Sequence, residues 1–208
     1  MTTILITGFG PFPGAPVNPT TPLVRWLSRL RRPGLADVRL VGHIFTTSYA
    51  DVDRELPRLI ARHRPDALLM FGVATRETRI RIETRARNAL ALLPDATNAS
   101  LRRNAILPGG PAAQRIPAPV VALLAAARNA QVPAYLSRDA GRYLCNYICW
   151  RGAEAVAARQ GPRLAAFIHV PPVPRVARPK GRRRRLAAAD LARAGEAILM
   201  AFAAAARR

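Results

Sequence analysis

Short runs of consecutive apolar residues alternate along this chain with longer stretches in which apolar positions return every three or four residues. The short runs, 3–7, 38–45, 67–72, 134–136 and 165–170, predict strands. The longer ones, 21–31, 51–64, 117–128, 144–159 and 186–206, carry the helical period. Strands that are apolar almost throughout suit a parallel sheet, where crossover helices bury both faces. The expected fold class is therefore α/β: a single three-layer α/β/α domain over residues 1–208, with a central, mostly parallel sheet.

Two stretches depart from this alternation. Residues 76–110 are polar and arginine-rich, then carry the turn signals Pro94-Asp95, Asn98 and Pro108-Gly109-Gly110, and they predict a surface excursion. Residues 171–185 hold four prolines and end in the basic run Arg182 to Arg185, which predicts a mobile loop before the last helix. No internal repeat or interdomain linker stands out.

Composition narrows the class. A chain of 208 residues fits one domain, and 50% hydrophobic content argues against disorder. The formal net charge is +21, nearly all of it arginine, with Lys180 the single lysine. A field of that sign attracts polyanions. Alanine runs at 187–189 and 203–206 accompany the arginines, so we read the bias as compositional drift and expect no dedicated nucleic-acid partner. The alternative, a basic nucleic-acid-binding protein using Arg182 to Arg185 and the Arg76 to Arg87 cluster, lacks a recognised binding motif, and aromatics for base stacking are few. Two cysteines, Cys145 and Cys149, exclude a small disulfide-stapled scaffold. The N-terminus has no basic leader, and no uncharged apolar run reaches the roughly 18 residues of a membrane span. These features predict a cytoplasmic protein without a membrane partner.

The candidate chemistry is that of a thiol. Cys145 stands where the loop Ser137-Arg138-Asp139-Ala140-Gly141 gives way to a helical pattern. A helix N-terminus favours thiolate through its dipole and free N–H groups. Cys149, one turn later, lacks that advantage. His169 ends the apolar run Ala165 to Ile168, at the carboxyl end of a strand, where ligands bind in open α/β sheets. His43 sits within a strand-like run and His63 at a helix end between Arg62 and Arg64, both poorer addresses. Spacing alone leaves Cys145 and His169 compatible with ordinary packing roles, and leaves Glu83 a surface ion-pair partner.

Several motifs, taken in order, add to this. Thr7-Gly8-Phe9-Gly10-Pro11-Phe12 precedes Asn18-Pro19, and Pro65-Asp66 follows. Gly72 stands eleven residues before Glu83, with Ala86 and Asn88 beyond it. Gly109-Gly110-Pro111-Ala112-Ala113, Ala140-Gly141-Arg142-Tyr143-Leu144-Cys145-Asn146 and Phe167-Ile168-His169-Val170-Pro171 complete the series. This ordered set resembles the pyroglutamyl peptidase I (pyrrolidone carboxyl peptidase) family of cysteine peptidases over nearly the whole chain.

The resemblance implies Cys145 as nucleophile, His169 as general base and acid, and Glu83 as the residue orienting His169. It implies a peptide substrate with an N-terminal pyroglutamate, cleaved through a thioester, with no cofactor and no metal. Phe9, Phe12 and Tyr143 map to aromatic positions of the substrate pocket, Thr46 and Leu144 to others, and a homodimer or homotetramer is expected. This chain departs from the family at Val73-Ala74-Thr75-Arg76-Glu77, where Gln-Ala-Gly-Gly-Arg is usual. It also carries Arg85 and Arg87 at apolar places, and Leu92-Leu93 where an arginine is expected. A divergent cysteine amidohydrolase of the same fold with altered specificity is the second reading.

Overall fold

The computed structural model describes residues 1–159, 161–173 and 185–208. In chain order its elements are β1 (Thr2–Phe9), α1 (Thr20–Leu27), β2 (Val38–Phe45), α2 (Tyr49–His63), β3 (Ala67–Val73), β4 (Ile80–Glu83), β5 (Arg85–Arg87), β6 (Ala113–Arg115), α3 (Val120–Asn129), β7 (Ala134–Ser137), α4 (Leu144–Ala157), β8 (Leu164–Val170) and α5 (Ala188–Ala206). Six strands form one sheet in the order β2-β1-β3-β8-β4-β7. Only the β4–β8 pair within it is antiparallel; the other neighbours run parallel. Strands β5 and β6 form a separate antiparallel pair.

The two-residue period of the strands sorts side chains into two apolar layers. Ile4, Ile6, Leu69, Phe71, Ile82 and Ile168 point to the layer of α1, α3 and α5. Leu5, Leu68, Met70 and Phe167 point to the layer of α2 and α4. The result is the expected α/β/α sandwich, and the alternation has a consequence for chemistry. It turns Gly72, Glu83 and His169, each one position beyond Phe71, Ile82 and Ile168 of the first set, toward α4.

The sheet corrects one expectation. Residues 76–110 are not wholly a surface excursion, because Ile80–Glu83 enters the central sheet as β4 and Arg85–Arg87 pairs with Ala113–Arg115. Ile80 and Ile82 are buried, at 1% and 0% exposure, while the intervening polar residues hide the strand in the sequence. The helix expected from residue 117 begins at Val120, since Pro119 disfavours the helical region for Ala118 before it and itself takes a non-helical conformation, φ -78° and ψ 59°. Most of the loop expected at 171–185 lies outside the described residues. Among the described residues, no helix is long and apolar enough to cross a membrane.

Candidate active site

His169, next to last in β8, is 4% exposed, and Glu83, last in β4, is fully buried. The antiparallel register sets Arg81 opposite His169 and Ile82 opposite Ile168. Glu83 therefore reaches His169 diagonally across the strand pair, a spacing long side chains can bridge. His169 Nδ1 and Glu83 Oε1 stand 2.8 Å apart. An ionised carboxylate only accepts, so the ring nitrogen donates, which fixes the tautomer and leaves Nε2 for another partner.

That partner is Cys145, the second residue of α4. The thiol acts electrostatically on the imidazole, as the shift in the ring's basicity shows. Burial works to lower the His169 pKa, but the charge of Cys145, with the hydrogen bond and charge of Glu83, outweighs it and raises the value to about 9. Gly72 makes room for the thiol: a Cβ at that position would lie 2.7 Å from Cys145 Sγ and 2.6 Å from Phe167 Cζ. Cys149 is fully buried one turn on, and desolvation pushes its thiol well above the ordinary range. Both cysteines are free.

The other expected residues fall into two groups. Phe12 and Tyr143 are half-buried, their rings 6.4 Å apart, and Thr46 is exposed at the end of β2, its N–H bonded to Asp51. Phe9 and Leu144 are 3% and 1% exposed and pack in the apolar layer beneath. Tyr143 Oη donates to the Pro94 carbonyl, tying the segment of Leu92 and Leu93 to the residue that caps α4.

Three neighbours escaped the sequence reading. Tyr49 stacks edge-on against both Tyr143 and Tyr147. Asn146, directly after Cys145 and fully buried, exchanges hydrogen bonds with Arg87 N–H and C=O and also donates to the Ala89 carbonyl. Arg81 contacts Glu83 at 3.1 Å. The residue after a helix-opening cysteine was a signal worth weighing for Asn146; Arg81 carried none among so many arginines. His43 packs edge-on against Phe45 on β2, and His63 ends α2. A groove of about 570 Å³ between α2 and α4 shares no lining residue with this cluster. Among the described residues, no group of three or more His, Cys, Asp or Glu side chains is gathered around a metal position.

A helix-opening cysteine held against a buried His–Glu pair, on a largely parallel sheet between two helical layers, is the arrangement of a cysteine-type α/β hydrolase. The chain matches the pyroglutamyl peptidase family over residues 2–207 and belongs to that family. It is similar to the pyrrolidone-carboxylate peptidase of Pyrococcus furiosus, 30% identical over 172 residues covering 82% of this chain and 81% of that protein. It is likewise similar to pyrrolidone-carboxylate peptidase 1 of Ralstonia nicotianae, 34% identical over 175 residues covering 84% and 80%. Among solved structures, the pyrrolidone carboxyl peptidase of Thermococcus litoralis superposes with a TM-score of 0.86 at 27% identity, covering 97% of this chain and 93% of that one. Pyroglutamyl peptidase I of Bacillus amyloliquefaciens does so at 0.84 and 26%, covering 98% of each.

Proposed function

We propose that this chain is a cysteine peptidase that releases an N-terminal pyroglutamyl residue from peptides through a thioester. The observation that carries the reading is the buried Glu83–His169 hydrogen bond at 2.8 Å, coupled through the imidazole to Cys145. His169 takes the thiol proton, and the sulfur attacks the pyroglutamyl carbonyl carbon. Collapse of the tetrahedral adduct breaks the amide C–N bond, and the imidazolium gives its proton to the departing amine. Water, deprotonated by His169, then hydrolyses the thioester to free pyroglutamate and the thiol. Glu83 stabilises the imidazolium and holds its tautomer throughout.

The first-turn N–H groups of α4, those of Leu144, Cys145 and Asn146, have no acceptor within the helix, so they are the natural oxyanion donors. Each such donor is worth about 3 kcal/mol in comparable sites. Phe12 and Tyr143 offer aromatic faces to a flat lactam ring, with Phe9 packed below them. The reading extends to a cytoplasmic homodimer or homotetramer, supported by two free thiols and by exposed apolar side chains such as Val121 and Leu92.

The test is hydrolysis of a chromogenic pyroglutamyl amide by the purified protein. Turnover that falls by about three orders of magnitude or more in Cys145→Ala is the expected outcome. A folded wild-type protein that ignores this amide but cleaves another N-acyl amide would establish the divergent amidohydrolase instead. That second reading draws on Val73, buried where the family usually has glutamine, and on Leu92 and Leu93, 71% and 60% exposed where an arginine is expected.

A further inference from the structure

Arg81 is a partly buried cation that the chemistry above does not use. Its side chain is 17% exposed, and it shares a sheet face with Glu83, two residues on, and with His169, its register partner. Its Nη2 lies 3.1 Å from Glu83 Oε1, the same oxygen that His169 Nδ1 meets. Glu83 Oε2 has no hydrogen-bond partner among the described residues, so both cationic groups converge on one oxygen. The same Nη2 donates to Ser137 Oγ at 3.0 Å and to the Asp139 carbonyl. Residues 137–139 open the loop that runs through Gly141 into α4 and Cys145. One guanidinium thus ties the strand end bearing Glu83 to the loop that sets the thiol.

The surroundings hold this group in place. Glu77 approaches Nη1 at 3.7 Å and is itself fixed by Tyr135 Oη at 2.9 Å, with Arg79 lying over the Tyr135 ring. The other ionisable groups facing the Glu83–His169 pair are Cys145 and Cys149 of α4, and Asp139 is drawn outward to Arg87. A carboxylate buried beside a neutral imidazole would be costly, and the adjacent cation offsets part of that cost. The cation also tempers the hold of Glu83 on the imidazolium proton, which the leaving amine needs.

We propose that Arg81 is a positioning residue: its guanidinium, through Nη2, holds Glu83 and the 137–139 loop in fixed relation, so that His169 and Cys145 stay aligned for proton transfer. Its readout in turnover rests on the peptidase reading above. Nη2 makes these contacts while Nη1 faces Glu77, and a lysine, with one ammonium on a flexible stem, cannot fill both places and hold Nη2's position at once.

The experiment compares wild type with Arg81→Lys, Arg81→Gln, Glu83→Gln and the Arg81→Gln/Glu83→Gln double variant. It measures kcat and KM on the pyroglutamyl amide and the pH profile of Cys145 alkylation by iodoacetamide, located by mass spectrometry. Arg81→Gln should lower kcat about tenfold with KM little changed, and move both limbs of the alkylation profile to higher pH. Arg81→Lys, which keeps the charge, should leave the limbs in place while kcat drops severalfold. The double variant should lose much less than the product of the two single losses, because Arg81 acts in large part through that carboxylate. Multiplying losses in the double variant, or wild-type kcat in Arg81→Lys, overturns the proposal, and the lysine variant decides alone if the glutamine variant does not fold. Alkylation needs no substrate, so a wild-type protein with a reactive Cys145 but no pyroglutamyl turnover refutes the substrate reading and leaves Arg81 testable.

Discussion

At the scale of single residues, the site depends on a side chain that is missing. Gly72 lies under the Cys145 sulfur and the Phe167 ring, and its phase in β3 turns its open face toward α4. Gly72→Ala must displace the thiol or the ring. We expect a loss of 10- to 100-fold in kcat, on the order expected when a reacting atom shifts by about 1 Å. The same overpacking should lower stability by about 1–3 kcal/mol. Steady-state kinetics with a urea melt checks both. Protonation gives a second expectation. His169 has a folded-state pKa raised from 6.5 to about 9, so its protonated form contributes stability that is fully present below about pH 6.5 and is lost as the pH rises through 9. Thermal midpoints measured from pH 6.5 to 10 should fall across that window in the wild type. In Glu83→Gln the fall should be shallower, and an unchanged slope would show that the carboxylate does not hold the proton.

At the scale of elements, the strands and helices that read clearly are those whose burial is one-sided or complete. Strands β1, β3 and β8 are continuous apolar runs, and each emerges close to where its pattern places it. Strand β4 is four residues long, and its two isoleucines are separated by arginine in a stretch already dense with arginine. Its membership of the sheet is decided by β7 and β8 on either side, which no local pattern encodes. Helix α5 illustrates a cap that is local. Asp190, 3% exposed, accepts from the Ala187 N–H at 2.9 Å and from Arg193 at 2.7 Å, closing the first turn. Asp190→Ala should lower the unfolding free energy by about 1 kcal/mol or more, read from chemical denaturation, with catalysis little changed. A loss concentrated in kcat would mean that α5 is coupled to the site after all.

At the scale of the whole molecule, the charge is the feature most at odds with the proposed chemistry. Thirty-three basic residues face only 12 acidic ones, so most arginines have no acidic partner to meet and stay in solvent. The acids that exist are drawn into pairs, as in Arg207–Asp37, Arg151–Asp53 and Arg32–Glu196, most of them partly exposed and each worth little alone. Among the described residues, Glu83 is the one acid fully buried, held between His169 and Arg81. The three-layer architecture makes that exception possible, since it carries a strand end from the arginine-rich segment into the dry layer under α4.

The order of apolar runs was enough to set the fold class, the strand before His169 and the helix that opens at Cys145, because burial on both faces and helix starts are written locally. The partnership of Glu83 with His169, the seat of the sulfur over Gly72 and the bridge made by Arg81 were decided only by tertiary structure. They arise from the antiparallel register of β4 on β8 and from the packing of α4 on that face. A register joins residues 86 positions apart, and its energy lies in neighbours that a linear pattern does not contain.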